Sequence, residues 1–338
     1  MQSLAVKFRP DTWEGVVSQR STVDILSKQV ITRNFKNAYL FCGSSGCGKT
    51  TVARLFSREI NKGVGYPIEI DAASNSSVDN VREIIASAYD RALDSEYKIY
   101  IVDECHAISN QGWQAFLKCI EEPPRYTIFI FCTTDPQKVP DTIKNRCQRF
   151  NFSRVSSNLI RDRLNYICKE EGFTNYEETT DYISKICNGG VRDAISLLEK
   201  CASYSTDLSI NNCLNALGNL SYDTFFNLIN AIIDDDEKNV SRLITEYYNS
   251  GADIKLFVDQ FMQFCLDVGK YCLFKSFDMI AIPSSMEDRI VKSTNFDNAE
   301  KYYMFVVDRL LELKNMIKTD PNARLTVEVV LLQIARGK

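Results

Sequence analysis

Apolar positions along the first 150 residues change their period repeatedly. Residues 38–42 (Ala-Tyr-Leu-Phe-Cys) are a short apolar run that ends at Gly43 and reads as a strand. Apolar positions 52, 55, 56 and 60 then recur at helical spacing. Residues 67–70 read as a second strand. Positions 81, 84, 85, 88 and 92 predict an amphipathic helix over 78–93. A buried strand follows at 99–102, a helix at 113–120 that Pro123-Pro124 stops, and at 128–133 a strand rich in β-branched and aromatic residues. Strands separated by helices imply a mostly parallel sheet joined by crossovers.

Beyond about residue 155 the strand-like runs vanish and helical periods dominate. Gly172, Gly189-Gly190, Gly218 and Gly251 each follow a helical stretch, as C-terminal caps do. Residues 158–217 read as one small helical domain and 221–335 as a second, with Phe225, Phe226, Ile229, Ile232 and Ile233 on one apolar face. The expected division is 1–155, 156–219 and 220–338. The acidic run 234–237 is expected to start a helix, where negative charge suits the dipole. There is no internal repeat and no low-complexity tract.

Composition narrows the class. A chain of 338 residues exceeds one compact core. Apolar residues make up 45% and charged residues 25%, as in ordinary globular proteins. No apolar run approaches the ~18 residues that would span a bilayer. The first residues carry charges and a proline where a signal peptide would be apolar, so the expected location is intracellular and cytoplasmic, with no membrane partner. A net charge of −4 argues against coating nucleic acid by charge alone, but not against a few phosphate contacts. The twelve cysteines are scattered without a CxxC pair; they read as small buried hydrophobes rather than disulfides or a zinc knuckle.

The chemistry concentrates in the first domain. Gly43-Ser44-Ser45-Gly46-Cys47-Gly48-Lys49-Thr50 fits GxxxxGK[ST], after a strand and before a helix. Its glycines let backbone N–H groups wrap phosphates, and the helix N-terminus adds favourable dipole charge. Lys49 is expected to reach the β- and γ-phosphates and the Thr50 hydroxyl to hold Mg²⁺. Asp103 and Glu104 end a neighbouring strand, Asp103 for the metal and Glu104 for the attacking water. Thr133-Thr134 closes a later strand within reach of a γ-phosphate. Arg146 and Arg192 are candidate phosphate ligands, although surface arginines are usually solvated charges. His106 reads as a packed loop residue before a metal ligand or pH switch, and Trp13 and Trp113 as packing residues. Cys47 is a tolerated small side chain by default, with a thiol that Lys49 would acidify as the alternative.

These residues resemble a known family, the gamma/tau subunits of bacterial DNA polymerase III, and more loosely the small subunits of replication factor C. The likeness lies in Lys7-Phe8-Arg9-Pro10 with Val16-Val17-Ser18-Gln19, in residues 43–51 ending at Thr51, in Glu69-Ile70-Asp71-Ala72-Ala73-Ser74, and in Asp103-Glu104-Cys105-His106. It continues through Glu121-Glu122-Pro123-Pro124, Thr133-Thr134-Asp135-Pro136, Asn145-Arg146-Cys147, Gly190-Val191-Arg192-Asp193 and Asp320-Pro321-Asn322-Ala323-Arg324. The resemblance implies an α/β P-loop AAA+ module, a parallel sheet with helices on both faces, followed by a small helical lid and an all-α collar. It implies an ATPase that opens a sliding clamp and places it on primer-template DNA, in a ring with other loader subunits expected to be pentameric. Thr134 matches the sensor-1 position and Arg192 the sensor-2 arginine. Arg146 matches the arginine that reaches the ATP of the adjacent subunit, and Arg9, Pro10 and Val17 match the stretch against the adenine. In that family helix starts inside the ring track DNA phosphates; Ser76, Asn80, Asn110 and Gln111 are the candidates here, with ordinary helix capping as the alternative. The all-helical ending favours a loader over a branch-migration helicase or an initiator, and the complete site argues against a ring scaffold without turnover. Three departures stand out. Residues 61–66 replace the family's four-cysteine zinc module, so no zinc is expected; Asn145 replaces a serine; and the chain ends at Lys338 without the long tail of tau.

Overall fold

Alternation along the strands builds the first unit. In β1 (Ala38–Gly43), Tyr39 and Phe41 face one layer while Leu40 and Cys42 face the other. The same split recurs in β3 (Lys98–Asp103) and β4 (Thr127–Thr133), so each strand is apolar on both sides. One layer is closed by α2 (Arg20–Thr32) and α3 (Lys49–Ile60), through Leu26, Val52, Phe56 and Ile60. The other is closed by α4 (Val78–Ala88) and α5 (Asn110–Glu121), through Val81, Ala88, Trp113 and Phe116. With β2 (Ile68–Asp71) and β5 (Gln148–Phe152), the parallel sheet runs β2-β3-β4-β1-β5. Two single-turn helices complete this part, α1 (Leu4–Lys7) and α6 (Asp141–Lys144).

The computed structural model describes residues 2–74, 77–249, 251 and 253–337. The chain divides into two compact units, Met1–Ile167 with Cys187–Glu199, and Cys168–Ile186 with Lys200–Lys338. Helices α7 (Ser157–Glu171) and α9 (Val191–Tyr204) are divided between them, so residues 156–219 are shared by both units. The second unit is helical: α8 (Glu177–Ile186), α10 (Ile210–Leu217), α11 (Tyr222–Ile233), α12 (Glu237–Asn249), α13 (Ile254–Phe274), α14 (Glu287–Ser293), α15 (Ala299–Met316) and α16 (Ala323–Arg336). Its core holds Phe225 in ring contact with Phe257, Phe261 and Phe264, and Phe261 in contact with Phe257 and Phe264. Among the described residues no helix is long and apolar enough to cross a membrane.

One expectation is corrected here and one is refined. The helix expected over 78–93 stops at Ala88, because side chains take its last carbonyls: Thr127 Oγ1 donates to Ala88 O at 2.7 Å and Lys98 Nζ to Ser87 O at 2.5 Å. The acidic run is shared between two helices: Asp234 caps α11 and Asp235 turns at φ 56, whereas Asp236 and Glu237 start α12, the Asn239 N–H donating to Asp236 Oδ1 at 3.1 Å.

Candidate nucleotide-binding site

The C-terminal ends of β3, β4 and β1 lie side by side. The sequence reading puts Asp103 on the strand next to the phosphate loop. The structure corrects this, because β4 is interposed and pairs with β1 on one side and β3 on the other. Thr134, the residue after β4, therefore stands between the loop and Glu104. Clefts beyond the carboxyl ends of parallel strands are where such sheets bind ligands.

Residues 43–48 turn sharply between β1 and α3. Gly46 (φ 70) and Gly48 (φ 101) adopt backbone that other residues resist. A Cβ on Gly48 would meet nothing within 4 Å, so open space lies over the start of α3. Lys49 is only 6% exposed. Its Nζ donates to Gly43 O and Ser44 O, each at 2.9 Å. An ammonium has three donors, so one remains for a phosphate oxygen. Thr50 Oγ1 donates to Asp103 Oδ2 at 2.8 Å, and the Glu104 N–H donates to Asp103 Oδ1 at 3.0 Å. A hydroxyl and a carboxylate this close suit one hard divalent cation. Thr134 Oγ1 donates to Glu104 Oε2 at 2.8 Å. The donor set fits a magnesium-bound polyphosphate.

A cavity of about 290 Å³ opens beside the loop, lined by Ser45 to Thr51 together with Asp103 and Glu104. Arg9, Pro10, Val16 and Val17 line it too, as do Val191, Arg192 and Ile195 of α9. The N-terminal segment is tied down by distant partners: the Leu4 N–H donates to Glu199 Oε1 at 3.1 Å and Arg163 Nη2 to Phe8 O at 2.6 Å. Gln19 Nε2 donates to Ser153 O at 2.7 Å, and the Ser153 N–H returns a bond to Gln19 Oε1 at 3.2 Å. The Val191 N–H donates to Gly46 O at 3.0 Å, which sets the start of α9 against the phosphate loop. Arg163 and Glu199 line the cavity as well, and no local motif in the sequence points to either.

The remaining candidates fall elsewhere. Arg146 does not line this cavity; its Nη1 donates to Thr142 O at 2.8 Å and its Nη2 pairs with Glu121 Oε1 at 2.6 Å. Ser76 lies outside the described residues. The Asn80 N–H is taken by the cap residue Ser77 at 3.2 Å, and Asn110 and Gln111 open α5 behind the cap Ser109. These caps account for the two helix starts without a ligand. Trp113 is buried against Phe131 and Trp13 packs on the core beside β1.

Cys47 departs from the acidified alternative. It is buried, and burial pushes its thiol up more than the charge of Lys49 draws it down. Cys47 is therefore expected to react with iodoacetamide more slowly at neutral pH than a free thiol, as read by mass spectrometry of the alkylated peptide. Labelling as fast as free cysteine would contradict this.

Comparison with known proteins adds the family. The profile described as DNA polymerase III subunits gamma and tau domain III matches residues 208–337, and that described as DNA polymerase III, delta subunit matches 67–156. The DNA polymerase III subunit gamma of Buchnera aphidicola subsp. Schizaphis graminum (strain Sg) is 30% identical over 356 residues, covering 98% of this chain and 97% of that protein. The chain belongs to the DNA polymerase III gamma/tau family. The subunit tau of Bacillus subtilis (strain 168) is 35% identical over 286 residues, which cover 78% of this chain and 51% of the relative. The chain thus spans about half the length of the tau relatives it matches. Among solved structures, the Thermotoga maritima RuvB Holliday junction branch migration motor superposes with TM-score 0.52 at 15% identity, over 67% of this chain and 79% of that one. That likeness shows the fold, a parallel sheet layered between helices. Of the residues expected from the sequence, the loop around Lys49, the Asp103-Glu104 pair, Arg9, Pro10, Val17 and Arg192 line this cavity.

Proposed function

We propose that this gamma/tau-family chain is the ATP-hydrolysing subunit of a sliding-clamp loader. One observation carries the reading: the phosphate loop, the Thr50–Asp103 pair and the Glu104–Thr134 pair converge at the ends of three neighbouring strands, where Lys49, Thr50, Asp103 and Glu104 line one cavity. ATP is the substrate, with its phosphates on residues 43–51, its base against Arg9, Pro10 and Val17, and Arg192 facing the phosphates. Mg²⁺, held by Thr50 and Asp103, screens phosphate charge when bound. Glu104 accepts a hydrogen bond from the attacking water and so directs its oxygen. Thr134 reports whether the γ-phosphate is present. Arg146 serves the site of the adjacent subunit.

The wider assignment is part of the same proposal. The chain acts in the cytoplasm in a pentameric ring with other loader subunits. Residues 156–219 form the lid and 220–338 the collar. ATP binding favours the ring that holds a clamp open, which requires tighter binding to that state than to the relaxed one. Primer-template DNA enters past the starts of α4 and α5, near Ser76, Asn80, Asn110 and Gln111.

The test is ATP hydrolysis by the chain with its companion subunits, with and without clamp and primed DNA. A loader responds most to clamp and DNA together. Turnover stimulated by DNA alone, or none under any condition, would overturn the proposal. Lys49→Ala is expected to weaken nucleotide binding about 10–100-fold by titration, the value of one charge-assisted contact to phosphate.

A further inference from the structure

Helix α1 is a single turn, too short to hold itself. Chain ends stay poorly ordered unless something ties them down. The N–H that opens such a turn and the carbonyl that follows it have no partner inside it, and Ser3 in front supplies no side-chain cap. Both groups are instead met by charged side chains from far along the chain. At the start, the Leu4 N–H donates to Glu199 Oε1 of α9 at 3.1 Å. At the end, Arg163 Nη2 of α7 donates to Phe8 O at 2.6 Å. The signs are the favourable ones, with a carboxylate on the orphan N–H and a guanidinium on the orphan carbonyl.

The second contact is braced. The Arg163 guanidinium lies over the Tyr166 ring, 5.2 Å from its centroid, and the Phe8 ring meets the same tyrosine edge-on at 6.2 Å. Arg163 and Tyr166 are three residues apart on α7, so they share one face of it. Glu199 belongs to the helix whose Val191 N–H donates to Gly46 O of the phosphate loop. Over the eight positions from 191 to 199 a helix rises about 12 Å. One straight element thus runs from the phosphate loop to the start of α1. Phe8, Arg163 and Glu199 line the nucleotide cavity, and so do Arg9 and Pro10, which directly follow the clamped turn.

We propose that Arg163 and Glu199 are positioning residues for the nucleotide base: by clamping the two ends of α1 they fix the wall that Arg9 and Pro10 present to it. This rests on the reading of Arg9, Pro10 and Val17 as the base contacts. A wall held in place before the ligand arrives spares the ordering that a loose chain end undergoes on binding, and that saving becomes affinity. The phosphate end of the site is built separately, on the loop around Lys49 and on Asp103. The clamp therefore acts on the part of the ligand that carries the base and leaves the triphosphate contacts alone.

The experiment compares two ligands on the full chain with Mg²⁺: a non-hydrolysable ATP analogue, and inorganic tripolyphosphate, which has the phosphates and no base. Arg163→Ala and Glu199→Ala are each expected to raise the Kd for the ATP analogue about tenfold, the value of one hydrogen bond to a charged group, while the Kd for tripolyphosphate stays within about twofold. Glu199→Gln keeps an acceptor for the Leu4 N–H and is expected to keep most of the affinity. Unchanged affinity for the analogue in both Ala variants would overturn the assignment. Equal losses for the two ligands would overturn it too, since that is what a merely damaged fold gives. If the unaltered chain holds the analogue no more tightly than tripolyphosphate, the base reading falls and the clamp with it. If it holds the analogue more tightly and the Ala variants match it, only the clamp falls.

Discussion

On the proposed role of Arg146, its replacement by Ala is expected to lower clamp- and DNA-stimulated hydrolysis by about 10³-fold or more, the range for arginines that complete a site from outside it. ATP affinity stays nearly unchanged, because Arg146 does not line its own chain's cavity. In the isolated chain the guanidinium rests on Glu121 and Thr142 O. Both partners of that ion pair are well exposed, and such a pair is worth ~1 kcal/mol or less. On that role, a phosphate in a water-poor interface is expected to outcompete it, so the resting contact is no obstacle to the exchange. Lys at this position keeps the charge but loses the two-pronged donor geometry, and is expected to recover only part of the rate. Initial rates over an ATP titration, alongside equilibrium binding of a non-hydrolysable analogue, give the two numbers needed. Equal losses in binding and turnover would remove Arg146 from the catalytic arrangement.

Gly43→Ala has the largest expected effect on stability. Gly43 pairs with Phe152 in the β1–β5 ladder. A Cβ there would lie 2.4 Å from Phe152 O and 2.8 Å from Phe152 Cβ. The obstacle is strand backbone, so relief requires parting the two strands at the point where the phosphate loop begins. The cost is about 3 kcal/mol, at the upper end of overpacking by one methyl group. Nucleotide affinity falls as well, since Gly43 O is one of the two acceptors that hold Lys49. A denaturant midpoint and an ATP titration read both effects. A variant with wild-type midpoint would show that the strands separate more easily than their pairing suggests.

Much of this site was visible in the sequence because its signals are local. A glycine-rich turn between a strand and a helix, and two carboxylates after an apolar run, are each written in a few adjacent residues. The position of β4 was not, since strand order depends on pairing between segments far apart, and β1, β3 and β4 are each apolar on both faces whichever neighbour they take. Arg163 and Glu199 were missed for a related reason: their importance lies in holding Phe8 and Leu4, and nothing near either residue names its partner. Helix ends failed where side chains from other elements took the backbone groups, as Thr127 and Lys98 do at α4. Both the charge of Lys49 beside Cys47 and a buried place for the scattered cysteines were legible, but not which of the two effects on the thiol is larger.

The central place of β1 has a cost during synthesis. Both strands that flank it, β4 and β5, are encoded well downstream of it, at residues 127–133 and 148–152. At ~5–20 residues per second, a ribosome leaves the run Tyr39-Leu40-Phe41 without its ladder for roughly 5–20 seconds. Throughout that interval the segment destined to cradle phosphate is a sticky apolar ribbon with open edges. The nascent chain should therefore engage holding chaperones until β5 emerges, and release them abruptly once residue 152 clears the exit tunnel.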